Sequence, residues 1–356
     1  MKKHNFYAGP AILPQSVLQQ ASASIINFKE LDLSILEISH RSKEFESVMD
    51  ESESLVRELL GIDEEYAVLF LSGGASSQFF MIPMNLLPEH DTAHYVNTGT
   101  WSSGAIKEAK LFGNVNVIAS SESDQFRHIP NQFEYPDSGA YLHITSNNTI
   151  YGSQSHWWPK GSIPLVCDMS SDIFSRKVDG KNFGLIYAGA QKNMGPAGVT
   201  LVVVKKDLLG KTGRKLPSML DYKIHMDKGS MYNTPPVFPI YVSMLTMRWI
   251  KEMGGPEVME LRNNEKAAAL YSEIDNNPCF EGTVRKQDRS HMNVVFKLKN
   301  SDHEAEFLKF CKDANCVGLQ GHRSVGGFRA SLYNALPLES VNVLVNVMQD
   351  FALKYA

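Results

Sequence analysis

The stretch LIYAGAQKNMGPAGV, residues 185–199, decides how the chain folds. It begins as an apolar strand, passes through small residues, and then places a single lysine, Lys192, before a Gly-Pro-Ala-Gly turn. A lysine held among small residues at a strand end is partly removed from water, which disfavours its ammonium form and leaves a nucleophilic amine. A solvated lysine that merely ends a strand is the alternative interpretation of the same pattern.

Apolar runs of similar length recur through the first two-thirds of the chain. Seven of them are typical of buried strands: 66–74, 92–99, 114–121, 140–148, 163–171, 183–190 and 199–206. Helix-like stretches, such as those at 76–87 and 102–113, separate several of these runs. Apolar strands that alternate with helices predict an α/β fold, with a mostly parallel seven-stranded sheet between helices. Ligands of such sheets bind where the carboxyl ends of the strands meet.

The pattern changes after about residue 250. Three helix-like segments alternate with two strand-like ones there, which predicts a smaller C-terminal α+β domain. We therefore expect a large domain over residues 15–250 and a small domain over residues 251–356, with residues 1–14 packing near the small one. The Gly254-Gly255-Pro256 step lies at this boundary, where it is either a hinge or a simple helix breaker.

Composition and charge narrow the possible partners. The 356 residues are 43% hydrophobic and 21% charged, with a formal net charge of −4, as is ordinary for a globular enzyme. There is no polybasic block of the kind that binds nucleic acid. No apolar stretch approaches the roughly 18 residues that a membrane span requires. We expect neither a nucleic-acid nor a membrane partner.

The chain also has the features of a cytoplasmic protein. Its first residues do not include the apolar segment of a signal peptide. The four cysteines, Cys167, Cys279, Cys311 and Cys316, have no zinc-like spacing and are expected to be reduced thiols. No metal site is predicted.

A glycine-rich turn follows the first predicted strand. The segment LSGGASSQF, residues 71–79, joins that strand to a helix. Successive backbone N–H groups at a helix N-terminus, together with hydroxyl groups, can hold an anion. A tight turn with Ser76 or Ser77 as the helix N-cap is an equally plausible interpretation. It is not a Walker loop, because no Gly-Lys-Ser/Thr sequence follows.

Two further residues follow predicted strands. Asp168 ends the strand PLVCD, where its carboxylate would be desolvated unless a cation or donor faces it. Trp101 follows another strand, where its face could stack on a planar ring. Taken singly, an aspartate such as Asp168 is more often a capping residue, and a tryptophan such as Trp101 is more often part of a hydrophobic core.

These features suit one ligand when they are taken together. An anion cradle, an aromatic platform, a buried carboxylate and a lone amine are all predicted at the same edge of the sheet. Pyridoxal 5'-phosphate has a phosphate, a ring, a pyridine nitrogen and an aldehyde that would use them in turn. The sequence therefore predicts a pyridoxal-phosphate enzyme.

The chain resembles the phosphoserine aminotransferase family, a group of fold-type-I pyridoxal-phosphate enzymes, from end to end. The matching stretches are FYAGPAILP (6–14), EISHRSKEF (37–45), VNTGTWSSGAIKEAK (96–110), IYAGAQKNMGPAG (186–198), GSMYNTPP (229–236) and GHRSVGGFRASLYNALP (321–337). The segments around Lys192 and around residue 325 are the most specific of these.

The resemblance implies how the cofactor is held. It makes Lys192 the lysine that binds the aldehyde, Asp168 the partner of the pyridine nitrogen, and Trp101 the residue stacked on the ring. Further residues implied to contact the cofactor are Ala75, Ser76, Thr149, Gln191, Asn233 and Thr234. The last two resemble a pair that reaches the cofactor of a partner subunit, so a homodimer with shared active sites is expected.

The resemblance also implies a set of substrate-binding residues, which are His40, Arg41, His322, Arg323 and Arg329. Arg329 is expected to hold the α-carboxylate, a bidentate contact that suits a guanidinium group. His322 and Arg323 would hold the distal anion of the substrate, and Arg41, preceded by His40, would be the arginine on the substrate side. Ser76 is a departure, because some members of the family have arginine there. Substrate anchoring in this chain would depend more on the remaining cations.

The implied activity is a transamination in serine biosynthesis. The amino group of L-glutamate would pass to 3-phosphohydroxypyruvate, giving O-phospho-L-serine and 2-oxoglutarate. Members of this family also commonly accept the phosphorylated threonine precursor of pyridoxine.

Three other functions compete with this one. An aminotransferase acting on glyoxylate or on an unphosphorylated relative of serine is disfavoured because a small uncharged acceptor has no use for the distal cations His322, Arg323 and Arg41. A non-catalytic carrier of pyridoxal phosphate would not need Arg329 or Arg41. A lysine Schiff-base aldolase would need neither Asp168 nor the phosphate cradle.

Overall fold

The computed structural model describes residues 3–355 of the chain. Its strands, in chain order, are β1 (His4–Asn5), β2 (Tyr66–Leu71), β3 (Thr92–Asn97), β4 (Asn114–Ser120), β5 (Tyr141–Thr145), β6 (Leu165–Asp168), β7 (Leu185–Gly189), β8 (Thr200–Lys205), β9 (Phe280–Gly282), β10 (Asn293–Leu298), β11 (Cys316–Val317) and β12 (Phe328–Ser331). Its α-helices are α1 (Gln15–Ile26), α2 (Lys43–Leu60), α3 (Gly74–Leu86), α4 (Thr100–Ala109), α5 (Tyr222–Asp227), α6 (Val237–Glu252), α7 (Gly255–Asn276), α8 (Glu304–Asp313) and α9 (Leu338–Tyr355).

The large sheet has seven strands in the order β2-β8-β7-β6-β5-β3-β4. All neighbouring pairs are parallel except those of β8, which runs antiparallel to both β2 and β7. The central strands β5, β6 and β7 are buried along their whole length. Each of the seven predicted strand segments contains one strand of this sheet, and the predicted fold class is confirmed.

The direction of β8 follows from the turn that precedes it. The N–H of Gly195 donates to the carbonyl of Ala190 at 2.8 Å, and the N–H of Ala190 donates to the carbonyl of Val199 at 3.1 Å. The chain therefore reverses within residues 190–199. A parallel connection would need a crossover of about a dozen or more residues.

Helices cover both faces of the sheet. Residues of α1, α2 and α6 pack on one face, and residues of α3 and α4 pack on the other. The sequence sets the ends of α2 clearly, because Ser42 accepts a hydrogen bond from the N–H of Phe45 and Gly61 adopts the left-handed conformation after the last turn. No helix within residues 3–355 combines the length and the apolar character that a membrane crossing needs.

A second hydrophobic core lies in the C-terminal part of the chain. The sheet β12-β10-β9 is antiparallel and packs with α7, α8 and α9. Phe6 belongs to this core, and β1 pairs in parallel with β11. The Gly254-Gly255-Pro256 step separates α6 from α7, with Gly254 at φ 103°. The exact domain boundary at residue 250 stays a prediction, as does a hinge at this step.

Candidate active site

A cavity of about 360 Å³ lies at the edge of the large sheet where the parallel strands have their carboxyl ends. The predicted site residues that line it are Ala75, Ser76, Trp101, Thr149, Asp168, Gln191, Lys192, His322 and Arg329. They lie at or just after the ends of five strands of the large sheet, or in the C-terminal segment after β11. The topology thus gathers residues that are far apart in the sequence.

The amine of Lys192 lies in this cavity. It follows β7 and donates a hydrogen bond to Thr149 Oγ1 at 2.8 Å. Burial lowers the pKa of Lys192 to about 8, with the carboxylate of Asp168 opposing this shift and the charge of Arg329 adding to it. The amine therefore loses its proton much more readily than an ordinary lysine does. The nitrogen also lies 6.0 Å from the centroid of the Trp101 ring.

Asp168 is the buried carboxylate of the site. It ends β6, and only 5% of its surface is exposed. Burial raises its pKa, while the Ser170 hydroxyl and backbone N–H, the Lys192 charge and the Tyr187 hydroxyl stabilise the carboxylate. The N–H of Ser170 donates to its Oδ1 at 2.9 Å. Asp168 is thus prepared to accept a hydrogen bond from a cationic group that enters the cavity.

The N-terminus of α3 forms one wall of the cavity. Gly73, at φ 101°, is the N-cap residue, and no side chain caps this end of the helix. The hydroxyl of Ser77 instead donates to the carbonyl of Gly74 at 2.8 Å. The N–H groups of Gly74, Ala75 and Ser76 therefore have no partner within the helix and can bind an anion. The alternative, in which Ser76 or Ser77 caps the helix, is not observed.

Arg329 and His322 approach the cavity from the C-terminal part of the chain. Arg329 follows the start of β12, and its Nη1 donates to the carbonyl of Thr149 at 3.3 Å. Its Nε is buried and has no hydrogen-bond partner within residues 3–355. His322 Nδ1 lies 2.7 Å from Ser324 Oγ. Both residues are placed where a substrate carboxylate or phosphate could meet them.

The other predicted site residues do not line this cavity, and they are His40, Arg41, Asn233, Thr234 and Arg323. The side chains of Arg41 and Arg323 are exposed to solvent. Asn233 Nδ2 donates to the carbonyl of Thr234 at 3.0 Å, and Asn233 lines a separate cavity of about 230 Å³ behind Gly73. The roles of these residues stay predictions.

The cavity also contains residues to which the sequence analysis gave no role. They are Ala8, Gly9, Gly74, Phe79, Asn147, Ile150, Ser170 and Ser171. Ala8 and Gly9 come from the N-terminal segment, whose Ala11 N–H donates to the carbonyl of Gln191 at 2.9 Å. The sequence signal for Ala8 and Gly9 was the FYAGPAILP segment, whose glycine and prolines indicate a fixed backbone path close to a ligand.

Comparison with known proteins assigns this fold and cavity to a family. The model of the aminotransferase class-V family matches residues 3–344. The chain is therefore a class-V aminotransferase, an enzyme that transfers amino groups. A phosphoserine aminotransferase from Flavobacterium psychrophilum is 58% identical over 355 residues, which cover 99% of this chain and 100% of that protein. The chain belongs to the phosphoserine aminotransferase family.

Solved structures agree with this assignment. The phosphoserine aminotransferase of Bacillus circulans subsp. alkalophilus has a TM-score of 0.97 and 47% identity, over 100% of this chain and 99% of that one. The enzyme from Trichomonas vaginalis, whose structure has PLP bound, has a TM-score of 0.92 and 37% identity, over 98% of this chain and 100% of that one. The resemblance inferred from the sequence motifs is confirmed.

Proposed function

We propose that this enzyme transfers the amino group of L-glutamate to 3-phosphohydroxypyruvate, giving O-phospho-L-serine and 2-oxoglutarate. The observation that carries the proposal is the desolvated amine of Lys192 in one cavity with the carboxylate of Asp168 and the guanidinium of Arg329. The names of the full-length relatives supply the substrate class. The proposed setting is serine biosynthesis in the cytoplasm.

The cavity fits pyridoxal 5'-phosphate as the cofactor. The free N–H groups at the start of α3 suit its phosphate, and the Asp168 carboxylate suits a protonated pyridine nitrogen. The Nε1 of Trp101 is buried and has no hydrogen-bond partner within residues 3–355, as expected for a group beside a ligand site. Thr149 and Gln191 line the same cavity and add polar contacts.

The proposed mechanism assigns a separate task to each residue. Pyridoxal phosphate, when bound, supplies an aldehyde that takes up the amino group and a ring that withdraws electrons from the substrate's α-carbon. Lys192 would hold the cofactor through its aldehyde; once the amino group of the substrate has displaced it, the neutral amine would take the proton from the α-carbon of the substrate. Asp168 would hold a proton at the pyridine nitrogen. Trp101 would hold the ring by stacking against it.

Substrate recognition depends on cations at the mouth of the cavity. Arg329 is proposed to bind the α-carboxylate that both amino-acid substrates share, because its half-buried guanidinium has an unpaired Nε. His322 and Arg323 are proposed to hold the γ-carboxylate of glutamate and the phosphate of phosphoserine in turn. Ser76 offers these anions a hydroxyl and an N–H group but no charge.

A homodimer with shared sites would account for the remaining residues. His40, Arg41, Asn233 and Thr234 lie outside the cavity of their own chain. We propose that Asn233 and Thr234 reach the cofactor phosphate of the partner subunit. The exposed Arg41, together with His40, would enter the partner's site from its substrate side.

The activity is tested with purified enzyme, glutamate and 3-phosphohydroxypyruvate in a coupled assay for 2-oxoglutarate. We expect turnover with 3-phosphohydroxypyruvate and little with glyoxylate. Lys192→Ala should lose turnover and the visible absorption of the enzyme-bound cofactor. Lys206→Ala, which removes a lysine on the turn after β8, should retain both. Preference for glyoxylate, or normal turnover by Lys192→Ala, would refute the proposal.

The shared site is tested by mixing two inactive variants. Lys192→Ala and Arg41→Ala are unfolded together, refolded together and assayed. If Lys192 of one chain works with Arg41 of the other, random pairing restores about one quarter of the wild-type activity, because half the dimers have one intact site. If both residues serve the site of their own chain, no activity returns.

A further inference from the structure

A buried tyrosine fastens the N-terminal segment over the cavity. We call residues 6–11 the N-terminal strap. We infer that Tyr333 is a positioning residue, whose hydroxyl group holds this strap in place so that the strap forms part of the substrate-binding wall. The inference rests on the proposed function for its substrates, but the contacts that carry it belong to the chain alone.

The strap connects two parts of the molecule. At its start, Phe6 is fully buried in the C-terminal core, and its N–H donates to the carbonyl of Val317 at 2.9 Å. At its end, the N–H of Ala11 donates to the carbonyl of Gln191, the residue before Lys192, at 2.9 Å. Between these anchors, Ala8 and Gly9 line the cavity. The strap therefore has fixed ends and a middle that faces the cavity.

Tyr333 holds the middle of the strap. Its hydroxyl donates to the carbonyl of Ala8 at 2.8 Å. Asn293 Nδ2 donates to the same hydroxyl at 3.3 Å, so the phenolic proton is left for Ala8. Asn293 is itself fixed, because its Oδ1 accepts from Nδ2 of the cavity residue Asn147 at 2.8 Å. The contacts of Tyr333 thus join the strap, β10 and the loop after β5.

The position of Tyr333 also relates it to the lysine. Burial raises the pKa of Tyr333, and the Thr149 hydroxyl is among the groups that stabilise its phenolate. Thr149 accepts the hydrogen bond from Lys192 Nζ. Movement of the Tyr333 hydroxyl would therefore disturb both the strap and the surroundings of the Lys192 amine.

Removing only this hydroxyl separates positioning from packing. In Tyr333→Phe the ring, which is 1% exposed, can remain in place. The carbonyl of Ala8 would lose its hydrogen-bond donor. Because a polar group without a partner is costly away from water, the strap would move so that water can reach this carbonyl. Gly9 offers little resistance, because it is exposed and has no side chain to anchor it.

The expected kinetic effect is mainly on substrate binding. A loosened strap must be ordered again each time a substrate binds, which raises KM. We expect KM to rise about tenfold for both glutamate and 3-phosphohydroxypyruvate, because the loss of one buried hydrogen bond is worth about this factor. The decrease in kcat should be smaller, since Lys192 and Asp168 are unchanged.

A second measurement follows the strap without any turnover. Tyr7 lies in the strap and its side chain is 54% exposed, so chymotrypsin can cleave after it once the backbone yields. Cleavage of the holoenzyme is followed by mass spectrometry of the N-terminal fragment. We expect Tyr333→Phe to accelerate cleavage after Tyr7 by about tenfold, matching the change in KM.

Two further variants complete the test. Tyr66→Phe is the matched control, because it removes a buried tyrosine hydroxyl that donates to the carbonyl of Phe183 at 2.9 Å, far from the strap along the chain. It should change neither KM nor cleavage after Tyr7. Ala8→Gly loosens the strap and leaves Tyr333 intact, so both quantities should rise about threefold.

Several results would overturn the inference. One is a Tyr333→Phe enzyme whose KM values and cleavage rate stay within twofold of the wild type. Another is a Tyr333→Phe protein that fails to fold or is cleaved along its whole chain, if the Ala8→Gly enzyme also has the wild-type KM. If the wild type does not act on 3-phosphohydroxypyruvate at all, the proposed function fails, while the cleavage rates still decide whether Tyr333 holds the strap.

Discussion

The amine of Lys192 should destabilise the cofactor-free protein by an amount that can be calculated. Its pKa is about 8 in the folded chain, against an ordinary value of 10.5. This difference of roughly 2.5 units, at about 1.36 kcal/mol per unit, corresponds to a cost of about 3 kcal/mol for keeping the folded lysine protonated at pH 7. The perturbation that reveals this cost is Lys192→Met.

Methionine keeps an apolar side chain of similar length but carries no charge. The substitution also removes the hydrogen bond from Lys192 Nζ to Thr149, which is worth about 1 kcal/mol. We therefore expect the cofactor-free Lys192→Met protein to be more stable than the wild type by about 2 kcal/mol at pH 7. The lysine proposed to bind the cofactor would in this case reduce stability.

The pH dependence of this difference has a definite sign. Between about pH 8 and pH 10.5 the folded lysine has lost its proton while the unfolded lysine retains it. The unfolded state binds more protons in this window, so the stability of the wild type rises with pH. The advantage of Lys192→Met should therefore shrink and fall close to zero by about pH 10.

The assay is denaturant unfolding of the cofactor-free proteins at pH 7 and at pH 10. Lys192→Arg serves as the control, since guanidinium remains charged at both pH values and should gain no stability. A Lys192→Met protein that is no more stable than the wild type at pH 7 would contradict the reasoning. So would a stability difference that does not shrink at pH 10.

Three further predictions concern the site and the turn that shapes it. Arg329→Lys should raise KM for glutamate by about 10- to 100-fold in steady-state assays, because lysine cannot make a bidentate contact with the carboxylate. An unchanged KM would show that Arg329 does not bind the α-carboxylate. Asp168→Asn should lower kcat by about 100- to 1,000-fold while cofactor still binds, since an amide cannot hold the proton on the ring nitrogen; near-normal kcat would contradict this. Gly195→Ala should lower the free energy of unfolding, measured with denaturant, by about 2 kcal/mol. The reason is that the new Cβ would lie 3.0 Å from the Cα of the buried Ser243. An unchanged denaturation midpoint would show that α6 can move aside.

The sheet was predictable because its central strands are apolar along their whole length. Segments such as 163–171 and 183–190 each contain a strand buried at every position, β6 and β7, and this burial leaves a continuous hydrophobic run in the sequence. The direction of β8 was not predicted. It depends on how the chain reverses within residues 190–199, and that turn is fixed by contacts with α6.

The part of the site that follows the strands was predictable for a topological reason. Residues after parallel strands meet at one edge, so Trp101, Asp168 and Lys192 come together without further information. The N-terminal strap was not predicted as part of the wall. Its position depends on the pairing of β1 with β11 and on the hydroxyl of Tyr333, contacts between residues that are more than 300 positions apart.

The same burial shifts the two central ionisable groups in opposite directions. It raises the pKa of Asp168 and lowers that of Lys192, because the loss of water destabilises the charged form of each group. Neither shift helps the cofactor-free chain, because both charges are costly in a desolvated cavity. A ligand with a cationic ring nitrogen and an electrophilic carbon would relieve both costs when it binds. Part of the free energy of ligand binding would therefore come from removing the cost of these two desolvated charges. Binding of such a ligand should stabilise this enzyme more than it stabilises Lys192→Met.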